Sequence, residues 1–540
     1  MSKHYSVGFS ISTDKIQRFS VFFERHAMFF LSVILSSVSL VAFMVYYFNG
    51  FGLAYNDARS HLDIGRRVVE GLKPGLAQLG SVWLPLTHVL MVPTVWSDFM
   101  WHTGLAGALQ SMISYVATGL LIYLFLRELG ASMIARLVGV AIFASNSNIL
   151  YLQSTAMTEL LLLATMTAGA YQLLLWYKSD NIVFLIKSSF WIMLSTLVRY
   201  DGWFLFGFAA LLIFFYTIYQ KGYWVAEGTV VLYGTLAGFG IGLWFLWNAL
   251  IFKDPLYFIF GPYSAHAQQS QLEAAGVLAT KGDWFLSLKF YVYALAYNSG
   301  AFTTVLGFIG AFVMWFNRRE NIRVRIASAA LIAPFLFNII ALYLGHSVLF
   351  IQGLSGDTWF NIRYGVMMMP SLAIFIGYLV DRVRPMRGLI IGLLFFVMFF
   401  SITSNDIVTI DDARVGSSQK NVTEVSSWLT RHAKDEKGFV LISAASHDAI
   451  IFSSGLPMKK FIHEGTGAYW KSATESPDRW ARWIIMRTYS EDDSTWRFVS
   501  RSSGFERYNL VGTYPFADIY ELKPEYMADL QTDAVLGKQK

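Results

Sequence analysis

The 540-residue chain contains no cysteine. This absence excludes a disulfide, a zinc–thiolate site and a thiol nucleophile. Three motifs of soluble enzymes are also missing from the sequence: a glycine-rich phosphate loop, HExxH and GxSxG. Without a phosphate loop, the sequence does not favour a nucleotide as substrate.

Charged residues are scarce as well. Only 14% of the residues are Asp, Glu, Lys or Arg, whereas 55% are hydrophobic and 17% aromatic, and the mean hydropathy is +0.46. A soluble protein of this length is less apolar, so we expect the bilayer to be the solvent for most of the chain. The net charge of +6 does not indicate nucleic acid, because Lys and Arg lie in short loops between apolar runs.

Apolar runs long enough to cross a membrane, roughly 20 residues each, recur along the chain. The first run is long and lacks a small-residue cleavage site, so we interpret it as a retained helix and not as a signal peptide. The sequence predicts about eleven spans, which are 27–48, 101–125, 137–152, 158–177, 182–198, 203–219, 226–251, 299–316, 326–345, 366–380 and 388–404.

The distribution of Lys and Arg predicts the orientation of these spans in the inner or plasma membrane. With a cytoplasmic N-terminus, basic stretches such as NRRENIRVR (317–325) and DRVRPMR (381–387) lie inside, as the positive-inside rule requires. The loops then expected outside are the large ones, at 49–100, 252–298 and 345–365. Three segments within them are predicted to be interfacial helices, 57–72, 83–100 and 283–298.

The tail changes character after residue 404, where polar residues replace the apolar runs. We therefore predict a transmembrane domain over 1–404 and a small soluble α/β domain over 405–540 on the outer side. Four short apolar stretches predict strands, at 438–444, 482–489, 508–514 and 517–522. A helix is predicted between the spans and the first of these strands, at 422–433.

The segment FGLAYNDARSHLDIGRRVVEG (51–71) follows the first span and carries seven ionisable residues. Helical spacing places Asp57 and His61 on one face. On another face the same spacing allows Asp63 to form ion pairs, with Arg59, Arg66 or Arg67.

A purely structural interpretation of this segment is that Asn56 or Asp57 caps a helix whose remaining charges are solvated. The position of the cluster at the membrane edge favours function instead, because ionisable groups there are costly.

STAMTELLLLATM (154–166) places Glu159 at the start of a span on the outer side, where we expect it to face the same aqueous edge as Asp57. A carboxylate at a helix N-terminus is also favourable by itself, so capping is the alternative role. In LVRYDGW (197–203), Arg199 is a candidate phosphate contact because its guanidinium is a fork of donors. The alternative is that Arg199 and Asp201 only pair with each other.

Two later outer segments, KDPLYFIFGPYSAHAQQ (253–269) and GDTWFNIRYGVMMMP (356–370), carry further candidates. Three of their side chains are candidate anion contacts: Lys253, His266 and Arg363. Four aromatic side chains could flank a sugar or a lipid head group: Tyr257, Tyr263, Trp359 and Tyr364. For any one of these aromatic residues, the alternative is the belt of aromatic side chains at the membrane interface.

Taken together, the motifs NDARSHLDIGRRVVEG, MTELLLL, RYDGW and NIRYGVMMMP, within this architecture, resemble the membrane glycosyltransferases of the GT-C superfamily. Among these, the sequence is most similar to relatives of the protein O-mannosyltransferases and of the lipid A aminoarabinose transferase. The similarity in the order of spans and loops extends over about residues 20 to 400. The resemblance implies a hexosyl- or pentosyltransferase that uses a polyprenyl-phosphate-linked sugar, usually with inversion, and a glycan, lipid or protein acceptor.

The resemblance also implies roles for particular residues. Asp57 matches the acid of the first outer loop and Glu159 the acid of the second, while the basic side chains near the donor phosphate match Arg199 and Arg363. Many relatives have an acidic pair in the first loop, whereas here Asn56 precedes Asp57. The partner role then falls to Glu159 or Asp63. The oligosaccharyltransferase signature WWDYG is absent from the tail.

The implied chemistry suits these residue types. A carboxylate within hydrogen-bond reach can take the proton of an acceptor hydroxyl as it attacks the sugar, and we assign this role to Asp57, with His61 orienting it or the acceptor. The leaving phosphate needs charge stabilisation more than protonation. A divalent cation, Mg or Mn, held by Asp57 and Glu159 is possible chemistry for two carboxylates and stays open at this point.

A transporter or flippase for a lipid-linked or small anionic substrate is the alternative function. Transporters tend to place their charged site near mid-bilayer between repeats, whereas here the charges gather at one edge and no repeat is visible. The tail over 405–540 is predicted to cover the catalytic opening or to help select the acceptor, and the alternative is a stabilising cap.

Overall fold

The computed structural model describes residues 13–261, 264–274, 276–404, 406–415 and 422–534. Within them, eight helices are long and apolar enough to cross a membrane, or nine if a bent pair counts as one span. The protein is therefore a multi-pass α-helical membrane protein. The number of eleven spans stays a prediction.

Nineteen α-helices precede the tail in the part of the chain that the structure describes. They are α1 (Thr13–Phe48), α2 (Asn56–Val69), α3 (Leu86–Met91), α4 (Asp98–His102), α5 (Leu105–Glu128), α6 (Met133–Ala144), α7 (Ser147–Leu152), α8 (Glu159–Ser179), α9 (Ile182–Thr196), α10 (Tyr200–Lys221), α11 (Tyr223–Phe252), α12 (Tyr257–Phe260), α13 (Ala265–Ala274), α14 (Trp284–Ser299), α15 (Ala301–Phe316), α16 (Ile322–Ala329), α17 (Ala333–Tyr343), α18 (Met369–Arg382) and α19 (Arg387–Ser404).

Two helices form the centre of the bundle. Most residues of α8 and of the segment 362–382 that ends in α18 are buried, whereas few residues of α1, α11 and α19 are. Close backbone packing holds α18 in place, since a Cβ atom on Gly310 of α15 would lie 2.3 Å from the carbonyl oxygen of Phe375. The central helices therefore carry their N-terminal residues into a buried position.

Two of the predicted spans are interrupted. The segment 137–152 divides into α6 and α7 because Asn146 accepts a hydrogen bond from the Ile149 amide at 2.9 Å and so begins a new helix. The pair α14 and α15 bends by 112° at Gly300, whose φ is +81°. The bend separates α14, the segment expected to be interfacial, from the apolar helix α15.

The segment between α1 and α5, which is expected on the outer side, is packed more tightly than its sequence predicts. Residues 61–67 of α2 are all buried, so the interpretation of this helix as a solvated face is wrong. The segment 83–100 contains two short helices, α3 and α4, instead of one. The reason for the burial is that α2 lies between the bundle and the tail, which covers its outward face.

In its described residues, the tail contains six α-helices and five strands. They are α20 (Val408–Val415), α21 (Thr423–Ala433), β1 (Phe439–Ile442), α22 (Ala444–Ser453), β2 (Phe461–Ile462), α23 (Ala468–Glu475), α24 (Pro477–Trp480), β3 (Ala481–Met486), α25 (Ser494–Val499), β4 (Tyr508–Thr513) and β5 (Asp518–Leu522).

These strands form one sheet in the order β2-β1-β3-β5-β4. The first three are parallel, and β5 pairs antiparallel with both β3 and β4. All four predicted strands are present within two residues of their expected bounds at each end, except that β3 ends at Met486. The additional strand, β2, has only two residues, which is too short for a recognisable period.

The tail is joined to α2 by buried charges. Arg67 donates to both carboxylate oxygens of Asp448 in α22, at 2.9 and 3.2 Å. Asp63 of α2 is fully buried beside Asp448 and accepts a hydrogen bond from the Trp101 indole at 3.1 Å. The tail and the first outer loop are therefore packed as one unit.

Candidate active site

Asp57 lies in the first turn of α2. The residue at the N-cap position is Tyr55, which makes no side-chain capping bond, so the interpretation of Asn56 or Asp57 as the cap is wrong. Instead, Oδ2 of Asp57 accepts a hydrogen bond from Nη2 of Arg363 at 2.8 Å. This contact joins positions that are 306 residues apart in the chain.

Glu159 begins α8, as its sequence position predicts. Its side chain is fully buried, so the expectation that it faces an aqueous edge is wrong. Oε1 of Glu159 accepts a hydrogen bond from Nε of Arg363 at 3.1 Å and lies 3.5 Å from Nη1 of Arg199. The helix N-terminus favours the carboxylate, and the two guanidiniums compensate for its burial.

Arg363 is placed by an irregular segment. It lies in the 3-10 helix Ile362–Met368, which starts after Asn361 with a φ of +56°. Asn tolerates this left-handed conformation better than most residues, and its Nδ2 donates to the Val348 carbonyl at 3.0 Å. Gly365 lies against the backbone of α14, where a Cβ atom would be 2.2 Å from the Ala294 carbonyl oxygen. The guanidinium is thereby directed between Asp57 and Glu159.

Arg199 directly precedes α10, on the other side of Glu159. Its Nε donates to Asp201 at 3.3 Å and its Nη1 to the Thr158 hydroxyl at 3.3 Å. The pairing of Arg199 with Asp201 is thus real, but it is one part of a larger cluster. The ring of Tyr364 lies beneath both guanidiniums, 5.0 Å from Arg199 and 5.6 Å from Arg363.

Two members of the cluster were not predicted from the sequence. Asp412 of α20 is fully buried, with Oδ2 3.6 Å from Nη1 of Arg363 and 3.0 Å from the Tyr55 hydroxyl. The Tyr55 ring lies 5.0 Å from the Arg363 guanidinium carbon. The sequence signal was weak, because Asp412 lies in a polar stretch, VTIDDARV, that is typical of a solvated connection.

The charges of the cluster do not balance. Four carboxyl groups, on Asp57, Glu159, Asp201 and Asp412, surround two guanidiniums, on Arg199 and Arg363. Among the described residues, Oε2 of Glu159 and Oδ1 of Asp412 are buried without a hydrogen-bond partner. An excess of carboxyl groups over fixed cations suits the acceptance of a proton by one of the carboxylates.

His61 lies one turn after Asp57 but faces a different partner. Its Nδ1 is 2.8 Å from Nε2 of His88, and its ring centre is 4.4 Å from that of Trp83. Burial, followed by the charges of Arg363 and Arg199, lowers the pKa of His61 to about 3. His61 is therefore neutral at physiological pH, and its hydrogen bond in the described part of the chain goes to His88 and not to Asp57.

The remaining sequence candidates lie apart from the cluster. Lys253 is exposed at the end of α11 and donates to the Leu250 carbonyl at 3.0 Å. His266 is exposed, with its ring 6.0 Å from that of Phe260. Neither makes a hydrogen bond or ion pair with the cluster within the ranges described above. Tyr263 lies outside the described residues.

The residues present do not form a conventional metal site. Across the described residues, no group of three or more His, Asp or Glu side chains is placed to hold a metal ion. The Arg363 guanidinium lies between Asp57 and Glu159 and pairs with both carboxylates. A divalent cation at Asp57 and Glu159 therefore stays a prediction, and no step below depends on it.

Comparison with solved structures identifies the class of fold. The arrangement of helices is similar to that of two solved proteins, at low sequence identity. ArnT from Cupriavidus metallidurans in its apo state is similar with a TM-score of 0.58 and 10% identity, over 92% of this chain and 98% of that one. The apo oligosaccharyltransferase of Archaeoglobus fulgidus is similar with a TM-score of 0.52 and 11% identity, over 86% and 70%.

A third structure is of the same Cupriavidus protein bound to undecaprenyl phosphate. It is similar with a TM-score of 0.55 and 10% identity, over 90% of this chain and 98% of that one. No protein-family model and no curated protein sequence matches the chain significantly. The likeness therefore lies in the fold.

Proposed function

We propose that this protein is a glycosyltransferase that moves a sugar from a polyprenyl-phosphate-linked donor to an acceptor hydroxyl, at the outer face of the cell membrane. The fold supports a glycosyltransferase, and one observation of the site carries the assignment. Asp57 keeps 37% of its side chain exposed, whereas Glu159, Asp201 and Asp412 keep 3% or less. Asp57 is thus the carboxylate of the cluster that an incoming hydroxyl can reach.

In the proposed reaction, the acceptor oxygen attacks the anomeric carbon and forms the new glycosidic bond. The bond from that carbon to the phosphate oxygen breaks, and its electron pair leaves with the polyprenyl phosphate. The hydroxyl proton passes to the Asp57 carboxylate, a step that typically contributes 10²–10⁴-fold in rate. Attack opposite the leaving group inverts the anomeric configuration.

The two arginines have different roles in this proposal. Arg199 keeps 21% of its side chain exposed, and Arg363 only 6%. The departing phosphate is therefore assigned chiefly to Arg199, which can supply donors to the developing negative charge. Arg363 holds Asp57 in place through the 2.8 Å hydrogen bond. Tyr364 supports both guanidiniums from below.

The identity of the lipid is supported by a protein of the same fold. ArnT from Cupriavidus metallidurans binds undecaprenyl phosphate, the product that this reaction would release from an undecaprenyl-linked donor. The sugar is a hexose or a pentose in this proposal. The acceptor is a hydroxyl of a glycan, a lipid or a protein.

Transfer of labelled sugar tests the proposal. The purified protein in detergent is incubated with radiolabelled hexose and pentose donors linked to undecaprenyl phosphate, with envelope fractions of the expressing cell as acceptors. We expect label in an acceptor together with an equal amount of free undecaprenyl phosphate. Movement of the donor across vesicles without covalent transfer would instead identify a transporter or flippase.

A further inference from the structure

Helix α20 reaches from the tail into the candidate active site. The backbone amide and the hydroxyl of Thr409 both donate to Oδ1 of Asn148, at 3.0 and 2.8 Å. Nδ2 of Asn148 donates in turn to the Asn298 carbonyl at 3.1 Å. These bonds attach α20 to α7 and α14, so its position relative to the bundle is fixed by buried hydrogen bonds.

This attachment places Asp412 against Arg363. The carboxyl is fully buried, and among the described residues Arg363 is the cation with which it pairs, at 3.6 Å. A buried carboxylate is costly unless it is compensated by a cation or hydrogen bonds. The adjacent Asp411 is exposed and forms no ion pair within the described chain. Of the two adjacent acidic residues in α20, only Asp412 is therefore buried against the bundle.

Three carboxyl groups contact three different nitrogens of one guanidinium. Nε faces Glu159, Nη1 faces Asp412 and Nη2 faces Asp57. Because the guanidinium is planar and its N–H groups have fixed directions, two buried contacts set the orientation of the third nitrogen. That third nitrogen is the one that bonds the exposed carboxylate, Asp57.

We infer that Asp412 is a positioning residue, which orients Arg363 so that Nη2 holds Asp57 in the geometry needed for proton transfer. This inference rests on the proposed function, in which Asp57 accepts the proton. A second contact strengthens the link, since the Tyr55 hydroxyl, two residues before Asp57, lies 3.0 Å from Oδ2 of Asp412. The tail thereby contributes to catalysis without touching the substrate.

The test compares Asp412→Asn with Asp411→Asn in the full-length protein, using the undecaprenyl-linked donor. Displacement of a catalytic group by about 1 Å can cost 10²-fold in rate. For Asp412→Asn we expect kcat to fall by roughly 10- to 100-fold, with KM for the donor within about twofold. Asp411→Asn should keep wild-type values. Unchanged kcat in folded Asp412→Asn would overturn the inference.

A double-mutant cycle distinguishes positioning through Arg363 from general stabilisation. Arg363→Lys keeps the charge but loses the fork of donors, so Asp412→Asn should add little further loss in that background. Independent, additive losses would contradict the inference. If Asp412→Asn does not fold, Tyr55→Phe replaces it and should lower kcat with unchanged KM; unchanged kcat would count against the inference.

Asp57→Asn is measured in parallel. Absence of transfer by the wild-type protein would refute the proposed function, and retained transfer by Asp57→Asn would refute the role of Asp57 as the proton acceptor. Loss of transfer in Asp57→Asn with full activity in Asp412→Asn would refute only the role of Asp412.

Discussion

At the residue scale, Asp57 and Glu159 share one guanidinium but have opposite environments. Glu159 is enclosed at the start of a central helix, and its contacts with Arg363 and Arg199 compensate for its burial. Asp57 contacts the same Arg363 from a half-open position. The roles proposed for them follow from this difference, since Glu159 is placed to hold the cation and Asp57 is accessible to a substrate.

Substitution of Asp57 tests these roles. Asp57→Asn keeps the size of the side chain and its hydrogen bond from Arg363, but it cannot accept a proton. We expect turnover to fall by about 10²-fold or more, with donor binding retained. The measurement is steady-state transfer of the labelled sugar by the folded variant.

Asp98→Asn is the matched control for Asp57→Asn. Asp98 also lies in the first outer loop and pairs with an arginine, Arg66, but 75% of its side chain is exposed. Exposed ion pairs contribute about 1 kcal/mol or less, so turnover should stay within about twofold of wild type. Wild-type turnover in the Asp57→Asn variant would show that Asp57 is not the proton acceptor. Asp63 is unsuitable as this control because it is buried.

At the element scale, α2 connects the candidate active site to the tail. Its first turn carries Asp57, and its last two turns carry the contacts of Asp63 and Arg67 with Asp448 in α22. Burial raises the pKa of Asp63 and of Asp448, and the charge of Asp448 raises the pKa of Asp63 further. Arg67 opposes both shifts. The neighbouring His463 is buried and has a lowered pKa, so it is neutral there.

This interface predicts a pH dependence of stability. Unfolded carboxyl groups titrate near about 3.9, so the folded protein binds more protons than the unfolded protein at pH values above that. The stabilisation is therefore present at low pH and is lost as the pH rises through the raised pKa. We expect Asp63 and Asp448 to contribute a decrease in the Tm of the protein in detergent as the pH rises above about 4 through that range, whereas His463, with its lowered pKa, contributes an increase below about pH 6.5.

Asp63→Asn tests the origin of this dependence. The amide keeps an acceptor for Trp101 and mimics the protonated acid beside Asp448. The variant should match wild type at low pH and exceed its Tm at high pH, with a flatter profile. Asp435→Asn, at an exposed tail position, should leave the profile unchanged. A parallel profile for Asp63→Asn would assign the dependence to other groups.

At the scale of the whole molecule, the tail contacts the rest of the protein through buried charges in two places. It supplies Asp412 to the charged cluster and Asp448 to the buried contact with α2. The prediction that residues 405–540 cover the opening or select the acceptor is untested. Deleting 410–540 would remove Asp412 as well, so loss of turnover in that variant would not isolate a role in acceptor selection.

The proposed orientation makes a prediction for labelling in cells. Because the chain has no cysteine, a single introduced cysteine is a unique label. In intact cells, a membrane-impermeant maleimide should label Glu491→Cys in the tail but not Arg319→Cys in the basic loop after α15. Both should be labelled after permeabilisation. Labelling of Arg319→Cys alone in intact cells would invert the orientation and place the site inside.

Much of the fold could be predicted because its signals are local. A long apolar run, such as 388–404, specifies a helix in lipid regardless of its neighbours, since backbone groups must bond within the segment. Short apolar strands between turns, such as 438–444, are recognisable by the same local reasoning. The interruption at Asn146 is not predicted because the short polar stretch SNSN (145–148), which marks the cap, is flanked by apolar residues on both sides and is included in one span.

The resemblance of short motifs also indicated Asp57, Glu159, Arg199 and Arg363, and the structure brings these four side chains together. The contacts between these four side chains could not be predicted from the sequence. The pairing of Arg363 with Asp57 spans 306 residues. Helical and strand periodicity relate only residues that are near in the sequence, so they cannot predict this contact. Asp63 was assigned to arginines in its own helix, yet it packs against Trp101 and Asp448 from elsewhere in the chain.

The sequence by itself determined the multi-pass membrane character of the protein, the approximate helices and strands, and the residue types available for chemistry. These depend on hydropathy and on interactions between near neighbours. Only the tertiary structure decided which carboxyl groups are buried and which one stays accessible. Burial depends on how distant segments pack: α20 encloses Asp412, α22 encloses Asp63, and Asp57 remains open. Because burying a charge is costly, each buried carboxylate is stable only beside a compensating cation or hydrogen-bond donor.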